Sequence, residues 1–384
     1  MANILFGVEI GSSRISAMIG EGNPACEVAI RAFGQAPSNG VKRGAIVEPQ
    51  VVAQDLEQAL SEVRDQMPDR PDRVYVAFSG PHLHGYRVEG KTRLLGGRVT
   101  KENLDRIYNR VKDRRMSSRE RLLHWSRLTE IVDGAECEGS PLGHAGKNLE
   151  VSAHRLTARA QELKPFYELF DRCALRISSM VFGGVAACQA CIPPEKRQSA
   201  ALLIDIGAGI TDYVLYQNGV ICASGIVKIA GDDISHAISR ALGIPPGDAE
   251  AIKEEIGRQA PVNQVETEER YVGERFVPPE DFNYEVDLDL AGRVMRRQLT
   301  KLFRQINDRL RVEGLGSAIT GGVHLCGGGA NILGVDALAA EVFNTETQIV
   351  RSRYFGWNIV RPLKPELAAI SGLLTYAANS ERRF

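Results

Sequence analysis

The chain has 384 residues, 43% of them hydrophobic and 25% charged, and its 47 Lys and Arg nearly cancel its 48 Asp and Glu. This length predicts two or three domains with sizeable cores. A net charge of −1 excludes wholesale electrostatic binding to nucleic acid or lipid. The seven scattered Cys indicate a reducing compartment rather than a disulfide framework. With no apolar run near the roughly 20 residues of a membrane helix and no signal peptide, we expect a cytoplasmic protein.

The first predicted elements are two strands joined by a turn of small residues. In ILFGVEIGSSRISAMIGEG (4–22), an apolar strand ends at Glu9, a Gly- and Ser-rich turn follows, and a second alternating strand begins. Gly20 to Gly22 predict a further turn after that strand. The pattern favours a β-hairpin with an acidic residue directly before its turn.

The middle of the first half predicts an excursion from the main fold. We expect the strand RVYVAFSG (73–80) to open an inserted subdomain, which also holds the charged helix KENLDRIYNRVKDRR (101–115). Cys188 and Cys191 form a lone CxxC without a second pair at zinc-site spacing, so we interpret them as buried small residues. Pro193-Pro194 then marks the passage into the second half.

The N-terminal pattern returns about 200 residues later in ALLIDIGAGITDYVLYQNG (201–219). Asp205 takes the place of Glu9, and Gly207 that of Gly11. Asn218-Gly219 is a strong signal for a hairpin turn. We interpret the two stretches as one supersecondary unit used twice, once in each half of the molecule.

Phosphate binding is the physical use that this unit suggests. A tight turn brings successive backbone N–H groups into one concavity that suits anionic oxygens, and the hydroxyls of Ser12, Ser13 and Thr211 would add donors. An acid before the turn can hold Mg²⁺ through water, because Mg²⁺ keeps most of its hydration shell. Two such hairpins facing each other would grip a triphosphate from both sides; the alternative is two ordinary hairpins in a large α/β protein.

A long amphipathic helix is predicted over LDLAGRVMRRQLTKLFRQINDRLR (288–311), after a mainly acidic stretch at 264–289. Its apolar residues recur every three or four positions. The polar face is basic and carries Arg293, Arg296, Arg297, Lys301 and Arg304. This face is either a solvated surface or a docking site for carboxylates. A nucleic-acid partner is not expected, because Phe303 alone supplies an aromatic platform.

A third glycine-rich site follows in VHLCGGGANILG (323–334). Gly327, Gly328 and Gly329 allow a ligand to approach the backbone closely, and the helix predicted after them would direct its N-terminus at phosphate. A lone triple glycine is weak evidence of a site. Its value lies in the order of the motifs, which is hairpin, hairpin and then triple glycine.

In this order the motifs resemble the actin/Hsp70/hexokinase superfamily of ATPases. GVEIGSSR resembles its first phosphate motif, IDIGAGITD its second, LCGGGANILG its adenosine motif, and PELAAISGLLTYAA (365–378) the helix that connects the halves. Within the superfamily, the segments VYVAFSGPHLHGY (74–86) and 123–158 resemble the subdomain that is inserted in the bacterial cell-division family FtsA. The resemblance extends from Phe6 to about Ala378.

The resemblance implies an α/β, actin-like fold of two related RNase H-like halves around a nucleotide cleft, each with an inserted α+β subdomain. The first half would comprise 1–80 and 161–194, with the inserted subdomain at 81–160. The second half would comprise 195–242 and 316–384, with its own subdomain at 243–315. In this family that last subdomain receives the acidic, apolar C-terminal tail of FtsZ, so the basic helix becomes its candidate docking site.

The resemblance also implies site residues for ATP or ADP with Mg²⁺. Glu9 and Asp205 would act in catalysis and stand near the hydrated metal. The nucleotide would contact residues from both turns, the segments behind them and the triple glycine, namely Gly11, Ser12, Ser13, Arg14, Gly207, Ala208, Gly209, Ile210, Thr211, Gly231, Asp232, Glu250, Lys253, Gly327, Gly328, Gly329 and Asn331. Without the resemblance, Glu250 and Lys253 would be interpreted as a solvated ion pair one helical turn apart.

Four positions depart from the superfamily pattern. Glu9 stands where Asp is usual and Arg14 where Lys is usual. Ala208 and Ile210 replace Gly and Thr in the second motif, which adds a methyl group and removes a hydroxyl donor. The longer Glu9 would displace a metal-bound water, and such a shift can cost about 10²-fold in rate. We therefore predict nucleotide binding with slow or undetectable hydrolysis.

The function that these features imply is a nucleotide-binding, filament-forming scaffold that links FtsZ filaments to the cytoplasmic face of the membrane at the division site. Its partners would be the FtsZ tail, further copies of itself and other division proteins. An amphipathic membrane anchor is usual after the last helix in this family, but only NSERRF follows Ala378, so we expect membrane contact to be indirect or through an absent anchor. The alternatives are a PilM-like scaffold of a pilus or secretion machine and, disfavoured by the motifs, a sugar kinase.

Overall fold

The computed structural model describes residues 3–23, 28–113, 116–259, 262, 287–316, 319–350 and 364–381. The acidic stretch between 264 and 286, the basic pair Arg114-Arg115 and the last three residues therefore lie outside the described residues. No helix in these ranges is long and apolar enough to cross a bilayer.

The first 80 residues supply four of the five strands of a sheet. Apolar side chains are buried on both faces of this sheet. Strand order in this sheet is β11-β6-β1-β2-β3. The elements that the first 80 residues contribute are β1 (Asn3–Ile10), β2 (Arg14–Gly22), β3 (Val28–Pro37), the short pair β4 (Val41–Lys42) and β5 (Ala45–Ile46), helix α1 (Pro49–Gln66), and β6 (Arg73–Phe78).

Two sequence predictions in this region were wrong. β6 does not open the inserted subdomain, because it pairs in parallel with β1 inside the first sheet. Gly20 and Gly22 do not form a turn, since both lie in β2 and pair with β3. A Cβ on Gly20 would lie 2.4 Å from the Val28 Cγ1 atom, so this glycine serves close strand packing instead.

The inserted segment forms a separate sheet of order β7-β10-β8-β9 with one helix packed on it. Its elements are β7 (Leu83–Arg93), α2 (Lys101–Asp113), β8 (Glu120–Val132), β9 (Ala135–Glu136) and β10 (Asn148–Arg159). The apolar side of α2 buries Leu104, Ile107 and Val111 against this sheet, which gives the insertion its own small core.

The chain then returns to the first sheet and crosses to the second half. It passes through α3 (Ala160–Arg172), β11 (Arg176–Phe182), α4 (Gly183–Cys191) and α5 (Pro194–Gln198). Cys188 and Cys191 are both buried in α4, as predicted. Helix α4 contacts strands of both halves and so forms the wall between them.

The second half repeats the five-stranded design in the order β14-β13-β12-β15-β16. Its first elements are β12 (Ala201–Ile206), β13 (Thr211–Gln217), β14 (Val220–Val227), α6 (Gly231–Leu242), α7 (Pro246–Gln259) and α8 (Leu288–Val312). The predicted hairpin turn at Asn218-Gly219 is present, and both residues adopt the left-handed conformation. Helix α8 agrees with the predicted amphipathic helix and buries its apolar side against α6, α7 and α9 (Val335–Phe343).

The remaining elements close the second sheet and return to the first half. Parallel strands β15 (Gly322–Cys326) and β16 (Thr347–Ile349) flank α9, and short 3₁₀ turns cover Gly328–Asn331 and Pro365–Leu367. The final helix, α10 (Ala368–Glu381), packs on α4 and on β1, β2 and β6. Alternate residues of β12 belong to different cores, since Leu203 faces the α4 side and Leu202 faces the helices of the second half.

Candidate functional site

The two predicted turns have the same backbone geometry. The Gly11 amide donates to the Arg14 carbonyl at 3.0 Å, and the Gly207 amide donates to the Ile210 carbonyl at 3.1 Å. A Cβ on Gly11 or Gly207 would lie 2.8 or 2.7 Å from the same carbonyl oxygen, closer than a side chain tolerates. The repeated sequence therefore builds the same tight turn at the end of β1 and of β12.

The two turns meet across the cleft between the halves. A Cβ on Gly209 would lie 2.6 Å from the Ser12 Oγ atom, so only a glycine permits this approach. The space between the two turns, which includes the part open to solvent, is about 490 Å³. The residues that line the cleft come from both turns, the ends of β1, β6 and β12, the starts of α4, α10 and β13, and the β4–β5 loop. They are Glu9, Ile10, Gly11, Ser12, Gly44, Phe78, Ser79, Gly183, Asp205, Gly207, Ala208, Gly209, Ile210, Asp212 and Ala369.

Helix α6 holds the second turn from behind. Its first amides, of Gly231 and Asp232, donate to the carbonyls of Gly207 and Ala208 at 3.0 and 2.8 Å. These two site residues thus lie against the second turn, and their N–H groups are already used by it. The first N–H groups of a helix have no partner within the helix. Here two of them hold the neighbouring turn in place.

The predicted pair on α7 lies behind the same helix start. Lys253 Nζ is 2.7 Å from Glu250 Oε1 and 3.4 Å from the Gly231 carbonyl oxygen. The Lys253 side chain is only 11% exposed, so the pair is more than a solvated surface contact. Ser235 of α6 also donates to Glu250, which fixes that carboxylate against α6.

The triple glycine packs onto the second turn. Gly327 has φ +82°, and a Cβ there would lie 2.3 Å from an oxygen of Asp205. A Cβ on Gly329 would meet the Ile206 side chain at the same distance, while one on Gly328 would stand 3.9 Å from Arg14 Nη2. The Arg14 side chain therefore extends across the cleft from the first half to the triple glycine.

Asn331, the last site residue predicted, ends the 3₁₀ turn that follows the triple glycine. Its Nδ2 donates to Glu366 Oε2 at 3.0 Å. This bond ties the segment to the turn that begins the final helix. The side-chain amide of Asn331 thus makes a structural hydrogen bond near the start of α10.

Three carboxylates share the cleft. Burial raises the pKa of Glu9 to about 7, with Arg14 opposing the rise and Asp205 adding to it. Burial also raises the pKa of Asp205 to about 6, again against the opposing charge of Arg14. The pKa of Asp212 lies well above its usual range, because this residue is buried and stands near Asp205. Burial therefore disfavours the charged form of all three carboxylates.

Two of these acids have a buried oxygen without a hydrogen bond. Glu9 Oε2 and Asp212 Oδ1 have no hydrogen-bond partner, an arrangement that water or an ion normally relieves. These oxygens are where a hydrated Mg²⁺ could be held, because this ion uses few protein ligands and keeps its waters. Within the described part of the chain, no group of three His, Cys, Asp or Glu side chains could hold a metal directly.

Asp212 is the acid that the sequence prediction missed. It follows Thr211 at the start of β13, and Ser79 at the end of β6 donates to its Oδ2. The signal was present, because Asp212 is the last residue of the IDIGAGITD motif. Thr211 differs from expectation, since its hydroxyl donates to the Ile229 carbonyl at 2.8 Å and so has no proton left for a phosphate.

The basic side of α8 is only partly free. Arg297, Lys301 and Arg304 are exposed. Arg296 instead donates to Glu341 Oε2 at 3.2 Å and to the Val262 carbonyl at 3.3 Å. Arg293 is half-buried, so the exposed charge is concentrated on three residues. None of the five lines the cleft, which makes this side of α8 a separate surface.

Two related halves around a cleft of glycine turns define a protein with the actin-like fold. The same fold is found in the PilM-PilN type IV pilus biogenesis complex, with a TM-score of 0.69, 19% identity and coverage of 97% of this chain and 98% of that one. It is also found in MreB 5 of Spiroplasma citri bound to AMPPNP, with a TM-score of 0.57, 15% identity and coverage of 99% and 98%.

Sequence comparison identifies the family within this class. A model described as cell division protein FtsA matches residues 202–372, and one described as the SHS2 domain inserted in FTSA matches 80–157. The cell division protein FtsA of Escherichia coli K12 is 27% identical over 98% of this chain and 91% of its own length. That of Pseudomonas aeruginosa is 24% identical over 90% and 82%. The chain belongs to the FtsA family of actin-like cell-division proteins.

Proposed function

We propose that this protein binds ATP or ADP in the cleft and acts as a cell-division scaffold. The observation that carries the proposal is the pair of matched turns, which face each other across a cleft that holds three acids. Two turns of backbone amides suit the phosphates, and the acids suit Mg²⁺ held through its waters. Support also comes from the two structures of MreB5 of Spiroplasma citri, which are bound to ADP and AMPPNP.

Within this proposal each predicted residue has a role. Glu9 and Asp205 orient the waters of Mg²⁺, and Asp212 joins them. The phosphates contact the first turn through Gly11, Ser12, Ser13 and Arg14, and the second through Gly207, Ala208, Gly209 and Ile210. Thr211 supports the second turn through its bond to Ile229. The ribose and adenine lie near Gly231, Asp232, Glu250, Lys253 and the segment from Gly327 to Asn331.

Direct binding tests this proposal. Fluorescent mant-ADP and mant-ATP should bind the full chain saturably in the presence of Mg²⁺ and more weakly in EDTA. Arg14→Ala should lower affinity at least tenfold, because a charge-assisted contact to phosphate is lost. Arg172→Ala, an exposed arginine on α3, is the matched control and should leave affinity unchanged. Absence of saturable binding by the parent chain would refute nucleotide binding.

Hydrolysis should be slow. Glu9 is one methylene longer than the usual Asp, and the second turn offers the side chain of Ile210 where a hydroxyl is usual. We expect turnover below about 1 s⁻¹, the low end of ordinary enzymes. A turnover clearly above that value, measured by phosphate release at saturating ATP and Mg²⁺, would contradict this expectation.

We further propose that the exposed basic residues of α8 dock the acidic C-terminal tail of FtsZ. Arginine binds carboxylates in a bidentate way, and Arg297, Lys301 and Arg304 form an exposed row on one side of the helix. Arg297→Glu should weaken binding of a synthetic FtsZ tail peptide at least fivefold, whereas Arg172→Glu should not. If both variants bind like the parent, the docking surface is elsewhere.

The remaining parts of the proposal follow from the family. The protein would assemble into filaments, contact other division proteins and act at the cytoplasmic face of the membrane at the division site. Its subdomains would have the boundaries expected from the sequence. The similarity to the PilM-PilN complex keeps one alternative, a pilus or secretion scaffold. An FtsZ tail peptide without affinity for the purified chain would favour that alternative.

A further inference from the structure

A small hairpin of the first half reaches over the cleft. Strands β4 and β5 pair only with each other within the described residues, through Val41 and Ile46 and through Lys42 and Ala45. At the tip, Arg43 and Gly44 both have positive φ, +49° and +73°. Two consecutive left-handed residues give a type I′ turn, the tightest way to reverse a strand. The turn therefore sets the direction in which the tip of the hairpin points.

Arg43 crosses from the first half to the second. Its Nη2 is 2.6 Å from Asp233 Oδ1, and its Nη1 donates to the Lys228 carbonyl at 2.9 Å. Asp233 lies in the first turn of α6, and its other oxygen accepts from the Ala230 amide. One guanidinium thus joins the hairpin to the helix that holds the second phosphate turn.

Gly44 joins the same hairpin to the first phosphate turn. Its amide donates to Ser12 Oγ at 3.0 Å. Because the hydroxyl accepts this bond, its own proton remains available to donate to an anion in the turn. A Cβ on Gly44 would lie 1.9 Å from the Ser79 carbonyl oxygen, so the tip is wedged against the end of β6 as well.

The tip also touches the second turn directly. The Arg43 Cα lies 3.0 Å from the position of a Cβ on Gly209. Two residues of the hairpin therefore contact both phosphate turns, the end of β6 and the start of α6. An exposed ion pair alone contributes little to stability. The significance of this pair lies in what it joins, since the halves cannot separate without breaking it.

We propose that the hairpin of residues 41–46 is a clasp that holds the two phosphate turns together over a bound nucleotide, with Arg43 as the positioning residue. The inference rests on the proposed nucleotide binding. Phosphates between the turns would add contacts to both of them, so the closed clasp is more stable with nucleotide bound than without it and should slow release much more than entry. Pairing with Arg43 also neutralises Asp233, a carboxylate at the start of the helix that holds the second phosphate turn.

The test compares two arginines in similar ion pairs. Arg43 and Asp233 are 46% and 25% exposed, while Arg31 and Glu21, paired across β2 and β3 inside the first half, are 48% and 29% exposed. Release of mant-ADP from full-length Arg43→Ala, measured by stopped-flow chase with ATP, should be about tenfold faster than from the parent. The association rate should change less than twofold. Arg43→Lys should restore most of the slow release, and Arg31→Ala should behave like the parent.

Equal release rates for Arg43→Ala and Arg31→Ala would overturn the clasp. Amide hydrogen exchange of the nucleotide-free chain gives a second readout. Exchange at Gly44 and over 231–234 should be faster in Arg43→Ala than in Arg31→Ala, and equal exchange would again overturn the clasp. If the parent binds no nucleotide, the proposed function fails, while the exchange comparison still decides whether Arg43 holds the two halves together.

Discussion

The two phosphate turns share one backbone and differ in their side chains. Both close through a hydrogen bond from a glycine amide to the carbonyl three residues on. The first turn then presents Ser12, Ser13 and Arg14, whereas the second presents Ala208 and a buried Ile210. The common part is what an anion needs, namely backbone N–H groups in a concavity. The repeat therefore preserves the cradle, while charge and hydroxyl chemistry come from one side only.

The turns also differ in how they are held. Hairpin and loop residues hold the first, because Gly44 bonds to Ser12 and the Ser38 amide donates to the Ser13 carbonyl. A helix holds the second, through the amides of Gly231 and Asp232. The first turn is thus held by loops of the first half, and the second by a helix of the second half.

The largest effect is expected where the turns touch. Gly209→Ala places a methyl 2.6 Å from Ser12 Oγ and 3.0 Å from the Arg43 Cα, so the first turn must move away. Nucleotide affinity should fall more than tenfold, and overpacking should lower the free energy of unfolding by about 1–3 kcal/mol. Titration with mant-ADP and urea unfolding measure the two quantities. Gly96→Ala is the control, since no atom lies within 4 Å of its added Cβ.

Retained affinity in Gly209→Ala would mean that the contact between the turns is not needed for binding. The two turns would then be able to bind phosphate without touching each other.

A smaller effect is expected in the pH dependence of the free energy of unfolding, which should differ between Glu9 and Asp205 variants. Glu9 has a folded pKa of about 7 against an ordinary value of 4.5, so the fold favours its protonated form. The cost of ionising Glu9 therefore grows from pH 4.5 to about 7 and is complete above that. For Asp205 the same cost grows from pH 3.8 to about 6. Above both windows, Glu9→Gln and Asp205→Asn should each be more stable than the parent chain.

Urea unfolding in EDTA at pH 4.5, 6 and 8 measures this difference. Partial solvation of the carboxylates reduces the gain at pH 8 to about 1–2 kcal/mol. From pH 6 to 8 the gain of Glu9→Gln should still rise, while that of Asp205→Asn should rise less, because removing Asp205 acts on Glu9 only through its charge. Exposed Glu102→Gln is the control. A Glu9→Gln chain that is less stable than the parent at pH 8 would contradict this prediction, since it would show that the charge of Arg14 outweighs the burial of Glu9.

The smallest effect concerns the missing hydroxyl of the second turn. Ile210→Thr restores the usual donor but removes buried apolar surface, since Ile210 is only 7% exposed. Nucleotide affinity should change less than about threefold and stability should fall by about 1 kcal/mol. Ile210→Val has the shape of the Thr variant without its hydroxyl, so it isolates the effect of the donor. If Ile210→Thr alone binds nucleotide more than tenfold tighter, the lost hydroxyl was the main difference between the turns.

The errors made from sequence have a common physical origin. Gly20 and Gly22 were expected to form a turn, but close packing against β3 was the reason for glycine there. β6 was assigned to the insertion, although its parallel partner β1 lies more than sixty residues earlier in the chain. Thr211 was expected to face phosphate, but the carbonyl of Ile229 takes its proton. In each case a partner distant in sequence decided the role.

The sequence by itself determined the repeated hairpins, the order of the glycine sites and the amphipathic helix α8, because these follow from local periodicity and turn chemistry. The actin-like class followed from the resemblance of the motifs, in their order, to a known superfamily. Only the tertiary structure decided which side chains share the cleft. It placed Ser79 against Asp212, Arg43 against Asp233, and His154 of the inserted sheet 2.7 Å from Ser224 of β14. These partners are 70 to 190 residues apart. These partners meet when whole sheets pack together. The packing is driven by burial of apolar surface, which does not depend on the polar groups that it brings together.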